Sequence, residues 1–189
     1  GKPSGMMYGF IYEGTYKLDD FNSGTSLKDG VPYMTSVGQD KVRPGDPKYR
    51  DINSDGLIDD NDRTIIGCGQ PLHTGGFGNT FNFYGFDLNI FFSWSYGNDV
   101  INANRLYFEN GSITNTNQLK SYKDRWTVNN PDSDIPRVGA DIASMFVYSS
   151  RVVEDASFLS LRDVTLGYTL PRKVLRKMNF DTMRFYISG

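Results

Sequence analysis

Histidine and cysteine are almost missing from this chain: its 189 residues hold one of each, His73 and Cys68. A single cysteine excludes an internal disulfide framework and any multi-cysteine metal site. It leaves Cys68 as a small free thiol that does not identify a redox compartment. The lone histidine sits in a Gly- and Pro-rich turn with no spaced base or metal partner, and neither a nucleophile elbow nor a Walker loop is present. Carboxylates that could be paired for glycoside hydrolysis fall mostly within one loop, where ion ligation already explains them. No enzyme is expected. An excess of positive charge is missing too: the formal net charge is -2, and Lys and Arg are scattered rather than striped, so no nucleic-acid partner is expected. No window approaches the ~18 apolar residues of a membrane helix, which excludes helical spans and leaves a membrane β-barrel open. The polar start, Gly1-Lys2-Pro3-Ser4-Gly5, has no apolar stretch behind it and does not read as a signal peptide.

What is present in quantity is glycine, aromatic residues and Asp. The segment Asp51-Ile52-Asn53-Ser54-Asp55-Gly56-Leu57-Ile58-Asp59-Asp60-Asn61-Asp62 places oxygen donors where a twelve-residue calcium loop needs them. Asp51, Asn53 and Asp55 fall at positions 1, 3 and 5, the Leu57 carbonyl at 7, Asp59 at 9 and Asp62 at 12. Gly56 takes the sharp turn at position 6, and Ile58 at position 8 anchors the loop on an apolar neighbour. Asp62 replaces the usual, longer Glu, which implies a weaker or monodentate contact. The other reading of the same residues is a solvated acidic turn. Pro44-Gly45-Asp46-Pro47 breaks any entering helix, so a helix-loop-helix sensor is excluded and the expected Ca2+ would staple a loop rather than throw a switch.

Met6–Glu13 reads as an aromatic strand, followed by a long polar segment, 14–75. A hairpin follows, with arms Gly78–Tyr84 and Phe86–Tyr96. In the second arm Phe86, Leu88, Ile90, Phe92, Trp94 and Tyr96 share one face, while Asp87, Asn89, Phe91, Ser93 and Ser95 share the other. A second long segment, 97–156, carries the turn signals Asn110-Gly111, Asn129-Asn130-Pro131 and Asp134-Ile135-Pro136. Phe158–Leu170 then alternates, Pro171–Lys177 forms a basic helical turn, and Thr182–Gly189 opens a last strand with Met183, Phe185 and Ile187 on one face. The alternation alone fits an outer-membrane strand with its aromatic girdle or a strand of a soluble sandwich. Short connections alternating with very long ones favour the barrel.

The order of segments resembles the carboxy-terminal barrel of SusC/RagA-type TonB-dependent outer-membrane transporters, over nearly the whole chain. The resemblance rests on Pro44-Gly45-Asp46, Lys48–Gly56 and Asp62–Gly67, then Gly76–Phe81 with Gly85–Leu88. It continues in Tyr96–Val100, Arg125-Trp126-Thr127, Ser157–Arg162 and Leu166–Pro171. Cys68 departs from the family pattern, which more usually has a polar residue there. The resemblance implies an all-β fold, part of a transmembrane antiparallel β-barrel of about five or six strands, fewer than the ~8 of the smallest membrane barrels. The chain is thus expected to be a piece of a transporter, with 14–75 and 97–156 as long extracellular loops. It further implies import of glycan oligosaccharides, or peptides, across the outer membrane of a Gram-negative, Bacteroidetes-like bacterium. TonB coupling would run through an amino-terminal region outside this sequence, and a SusD-like surface lipoprotein would serve as lid. Tyr107, Phe108 and Trp126 are the loop aromatics expected to meet substrate or lid. A secreted, calcium-stapled β-sandwich that binds carbohydrate is the competing expectation.

Overall fold

The computed structural model describes residues 4–23, 26–113, 115–176 and 180–189. Its contacts divide the chain into two compact units, Pro71–Asn98 with Asp155–Gly189, and Gly1–Gln70 with Asp99–Glu154.

The first unit is one antiparallel sheet. Its strands are β1 (His73–Phe83), β2 (Phe86–Tyr96), β3 (Phe158–Thr169) and β4 (Arg184–Ser188), in spatial order β4-β3-β2-β1. β1 and β2 pair without interruption from Phe83↔Phe86 to His73↔Tyr96. The two residues between them, Tyr84 and Gly85, have φ of 47° and 86°. Two successive positive φ values give the turn twist that suits a tight hairpin, and the glycine adopts its share without strain. Thr169 and β4 are joined through the expected helical turn, here Arg172–Leu175, and the Lys177 end of that expectation lies outside the described residues.

β1 begins at His73, earlier than the Gly78 that alternation suggests. Gly75, Gly76 and Gly78 dilute the pattern because their strand neighbours use the space: a Cβ at Gly76 would sit 2.8 Å from the Phe91 ring, and one at Gly75 would overlap the Trp94 indole. β3 carries a second irregularity. Phe91 faces Asp163 but Phe92 faces Leu161, so Arg162 is the extra residue of a β-bulge. The bulge resets the phase of the strand. Leu159 and Leu161 join Val164, Leu166 and Tyr168 on the apolar face, and the adjacent charges Arg162 and Asp163 both go to the other side.

The second unit gathers most of both long segments, 14–75 and 97–156, into one folded body. Met6–Gly9 pairs with Thr64–Cys68, and Tyr12–Thr15 pairs with Pro47–Tyr49. The expected single strand Met6–Glu13 is thus two. It is broken at Phe10, which is 3% exposed and exchanges backbone hydrogen bonds with Tyr148 and Ser150 instead. Phe10, Tyr16, Phe21, Leu27, Met34, Val37, Val42, Tyr49 and Ile58 form the core. Side chains tie the two segments together: Tyr49 Oη donates to the Ser144 carbonyl at 2.6 Å, Thr15 Oγ1 to the Ser133 carbonyl at 2.7 Å, and Arg137 Nε to Asp46 Oδ1 at 2.6 Å.

Candidate functional site

The four-stranded sheet has two chemically opposite faces. On the apolar face Phe77, Phe81, Phe83, Phe86, Leu161, Phe185 and Ile187 are all exposed, between 50% and 72%. A continuous patch of this kind has no stable place in water but is what a strand presents to lipid. Aromatics gather at both ends of it. Trp94 and Tyr96 lie at the end from which the long segments leave, and Phe83, Phe86, Tyr168 and Phe185 lie at the hairpin end. At the first end the Trp94 indole N–H donates to His73 Nδ1 at 3.1 Å, and the His73 ring stacks on Tyr96 with centroids 5.1 Å apart. The only histidine is therefore part of this aromatic end. In a sandwich this face would be packed on a second sheet, whereas here its side chains are exposed.

The polar face carries paired side chains. Arg184 donates to both oxygens of Asp87, Nε to Oδ1 at 3.1 Å and the terminal nitrogen to Oδ2 at 2.5 Å. It reaches across β3 at Gly167, where a Cβ would lie 2.5 Å from Asp87 Oδ1. Glycine at this position is what allows the fork to close. Thr80 Oγ1 donates to Asn89 Oδ1 at 2.6 Å, and Arg162 Nε to Ser93 Oγ at 3.0 Å.

In the second unit the segment 51–62 is a series of side-chain turns. Asp51 accepts from the Ser54 and Gly56 amides at 2.7 and 2.8 Å, and Asn53 accepts from Asp55 at 3.1 Å. Asp55 accepts from Leu57, and Asp59 from Asn61, both at 2.8 Å. Gly56, at φ 86°, makes the sharp turn, and Ile58, 1% exposed, is buried in the core beside Met34. Asp62 is placed differently from the rest. It is fully buried, with Oδ1 accepting from the Ile52 amide at 2.7 Å and Oδ2 from the Asp59 amide at 2.9 Å. It clasps the two ends of the loop from within, while Asp51, Asn53, Asp55 and Asp59 lie along the accessible rim. The donor set is all oxygen, as a hard cation requires. Among the described residues no three His, Cys, Asp or Glu side chains are gathered closely enough to hold a metal ion by themselves.

The loop aromatics separate in the same way. Tyr107 and Phe108 are 55% and 39% exposed, with Tyr107 edge-on to Phe146 at 5.2 Å. Trp126 is 8% exposed and packs its ring on Gly45, so its faces are turned to the chain itself. The Pro44-Gly45-Asp46 motif is therefore structural: Gly45, at φ 86°, makes room for the indole, and Asp46 holds Arg137. Burial pushes the Asp46 carboxyl above its usual range, more than Arg137 lowers it. Sequence reading missed a cluster around Glu109. This buried carboxylate accepts from Arg105 at 2.9 Å and Arg151 at 3.1 Å and also from the Ser121 hydroxyl. Only the Arg105/Glu109 spacing on a short helix hints at it.

No protein-family model matches the chain. Among characterised proteins, it is 31% identical to TonB-dependent receptor P3 of Formosa agariphila and 31% identical to receptor P26 of the same bacterium. Each match covers 100% of this chain, but only 17% and 18% of the relatives. The chain therefore spans less than a fifth of the length of these relatives. Among solved structures, the RagAB peptide transporter superposes on 97% of the chain with a TM-score of 0.68 and 26% identity, over 18% of that protein. A second structure, the RagAB peptide importer in a "closed-closed" state, has the same fold at a TM-score of 0.67 and 24% identity. With an exposed apolar face, a polar face and long segments leaving one end of an antiparallel sheet, the chain is homologous over its whole length to a segment of TonB-dependent receptors and shares the fold of the RagAB transporter, as a stretch of outer-membrane β-barrel that is not closed within it.

Proposed function

We propose that the parent protein is an active importer in the outer membrane of a Gram-negative, Bacteroidetes-like bacterium. It takes up glycan oligosaccharides, or peptides, with TonB coupling through a region outside this chain and a SusD-like lipoprotein as its lid. The observation that carries the reading is the two-faced sheet, since an apolar face exposed from end to end suits lipid and a hydrogen-bonded polar face suits an aqueous lumen. The exposed Tyr107 and Phe108 remain the aromatics to test for lid or substrate contact, and buried Trp126 acts through packing. Deleting the parent gene should abolish growth of the source bacterium on one class of oligosaccharide or peptide as sole carbon source, and a surface lipoprotein should co-purify with the full-length protein. Unchanged growth on every such source would overturn the import reading.

We also propose that the loop takes a structural Ca2+ through Asp51, Asn53, Asp55, Asp59 and the Leu57 carbonyl, with Asp62 holding the backbone on which they stand. The ion would neutralise the crowded carboxylates. Calcium should then slow proteolysis at 51–62 in the full-length protein, and Asp55→Asn should remove that protection. Equal cleavage with calcium and with chelator refutes the site.

A further inference from the structure

The polar face of the sheet carries large aromatics that its hydrogen-bonded neighbours do not explain. Phe91 points to this side of β2 and is 43% exposed. Its ring lies across β1 at two glycines: a Cβ on Gly76 would approach it to 2.8 Å and one on Gly78 to 3.3 Å. Any other residue at Gly76 would lift the ring off the sheet. The two glycines therefore let an aromatic lie flat with its outer surface open, at the cost of the weaker strand that glycine makes.

Beside it the β-bulge delivers Arg162. An unbulged strand would send one of Arg162 and Asp163 to the apolar face, whereas the extra residue puts both on the polar side, next to Phe91. Arg162 is held in place twice. Its Nε donates to Ser93 Oγ at 3.0 Å, and its guanidinium lies over the Phe158 ring, 5.8 Å from the centroid. Among the described residues no carboxylate lies within 4.0 Å of it, and its only hydrogen bond is the one from Nε to Ser93. Phe158 is itself 45% exposed.

We propose that Phe91, Arg162 and Asp163 form a saccharide subsite on the polar face of the sheet, with Phe91 as the stacking platform for a pyranose ring. The C–H groups on one side of a pyranose pack on an aromatic face, and its rim of hydroxyls both donates and accepts hydrogen bonds. The patch answers both requirements, with an open ring, the donors of Arg162 and the acceptors of Asp163. An anion would need donors alone. Binding of an extended peptide by strand addition is closed at this place, because β2 is paired on both sides and β3 lies between β2 and β4. The subsite rests on the reading of the parent protein as an oligosaccharide importer and adds to it a place and a contact.

The test uses the full-length transporter in cells, with three fluorescently labelled hexasaccharides (neutral, uronate-bearing and sulfated) and a labelled heptapeptide as probes. For whichever hexasaccharide the wild type imports, Phe91→Leu should raise the half-saturating concentration about tenfold, the loss of one aromatic stacking contact. Phe91→Trp should restore it, and Arg162→Gln should raise it by a similar factor. Arg162 is exposed, so its variant keeps the test valid if Phe91→Leu lowers the amount of folded protein. Unchanged half-saturation in both Phe91→Leu and Arg162→Gln overturns the subsite while leaving oligosaccharide import standing. Import of the heptapeptide and of no hexasaccharide removes the oligosaccharide reading, and the subsite with it.

Discussion

Glu109 offers the sharpest test of what holds the loop unit together. Its side chain is 4% exposed and meets Arg151, 5% exposed, and Arg105, 27% exposed. Arg151 also donates to the Glu109 backbone carbonyl at 3.0 Å. Glu109→Gln keeps the shape and one acceptor but leaves a buried guanidinium without its counter-charge. Breaking a buried pair costs about 3–5 kcal/mol, and the partial exposure of Arg105 argues for the lower end. If the cluster opens as a unit, about 3 kcal/mol corresponds to roughly 150-fold faster amide exchange. The amides to follow in the full-length protein are Glu109, which donates to Arg105, and Leu119, which donates to Phe108. The control is Glu154→Gln. Glu154 is 44% exposed and 3.8 Å from Arg105, a surface pair worth less than about 1 kcal/mol. Acid should act in the same direction as Glu109→Gln. Burial alone would raise the Glu109 carboxyl, but the Ser121 hydroxyl and the Arg105 and Arg151 guanidiniums outweigh it and hold the group below its ordinary range. A depressed carboxyl contributes its stability above the unfolded value of about 4.3 and loses it as pH falls through the folded value, so the cluster should stay closed at neutral pH and open only in acid. Exchange at Glu109 and Leu119 no faster in Glu109→Gln than in Glu154→Gln would refute the argument.

Three further substitutions probe single contacts. Gly167→Ala puts a methyl 2.5 Å from Asp87 Oδ1 and 2.6 Å from an Arg184 nitrogen, so the fork must open; the expected cost is about 1–3 kcal/mol, read as a lower melting temperature of the barrel in detergent. Gly45→Ala meets the Trp126 ring at 2.5 Å from a φ of 86° and should cost about 2–4 kcal/mol, visible as faster proteolysis around Trp126 with no change in the melting of the sheet. Asp62→Ala strips the acceptors from the Ile52 and Asp59 amides and should loosen the loop by about 2–4 kcal/mol with or without calcium, as judged by cleavage at 51–62.

Alternation along β2 was legible because every position from Phe86 to Tyr96 except Phe91 obeys a period of two, and its register confirms both faces. The start of β1 was not, because glycine carries no polarity to alternate; Gly75, Gly76 and Gly78 belong to the strand for reasons that lie in the Trp94 and Phe91 rings of its neighbour. The phase change in β3 was hidden in another way. Leu159, Leu161, Val164 and Leu166 look like two incompatible alternations, and only the pairing of Phe91 with Asp163 and of Phe92 with Leu161 shows that one bulge reconciles them. Local pattern reports a strand well and reports poorly the residues whose purpose is to make room for another strand.

The loop unit shows the same limit at longer range. The ligand-type spacing of 51–62 could be read from the chain, since it is a property of consecutive residues, but the burial of Asp62 could not, since it depends on the Ile52 and Asp59 amides turning inward together. Trp126 looked like an open stacking face because aromatic residues in polar segments often are, and it is covered because Gly45, some eighty positions earlier, leaves it a place to lie. Ion pairs such as Asp46–Arg137 and Glu109–Arg151 join residues in the same way, far apart in sequence. Each is a buried charge that must be paired where it is buried. That requirement explains how two segments rich in turn residues, with few long strands between them, still close into a single folded body: the apolar core is supplied mainly by the first segment, and the paired charges and tyrosine hydroxyls fix the second segment to it.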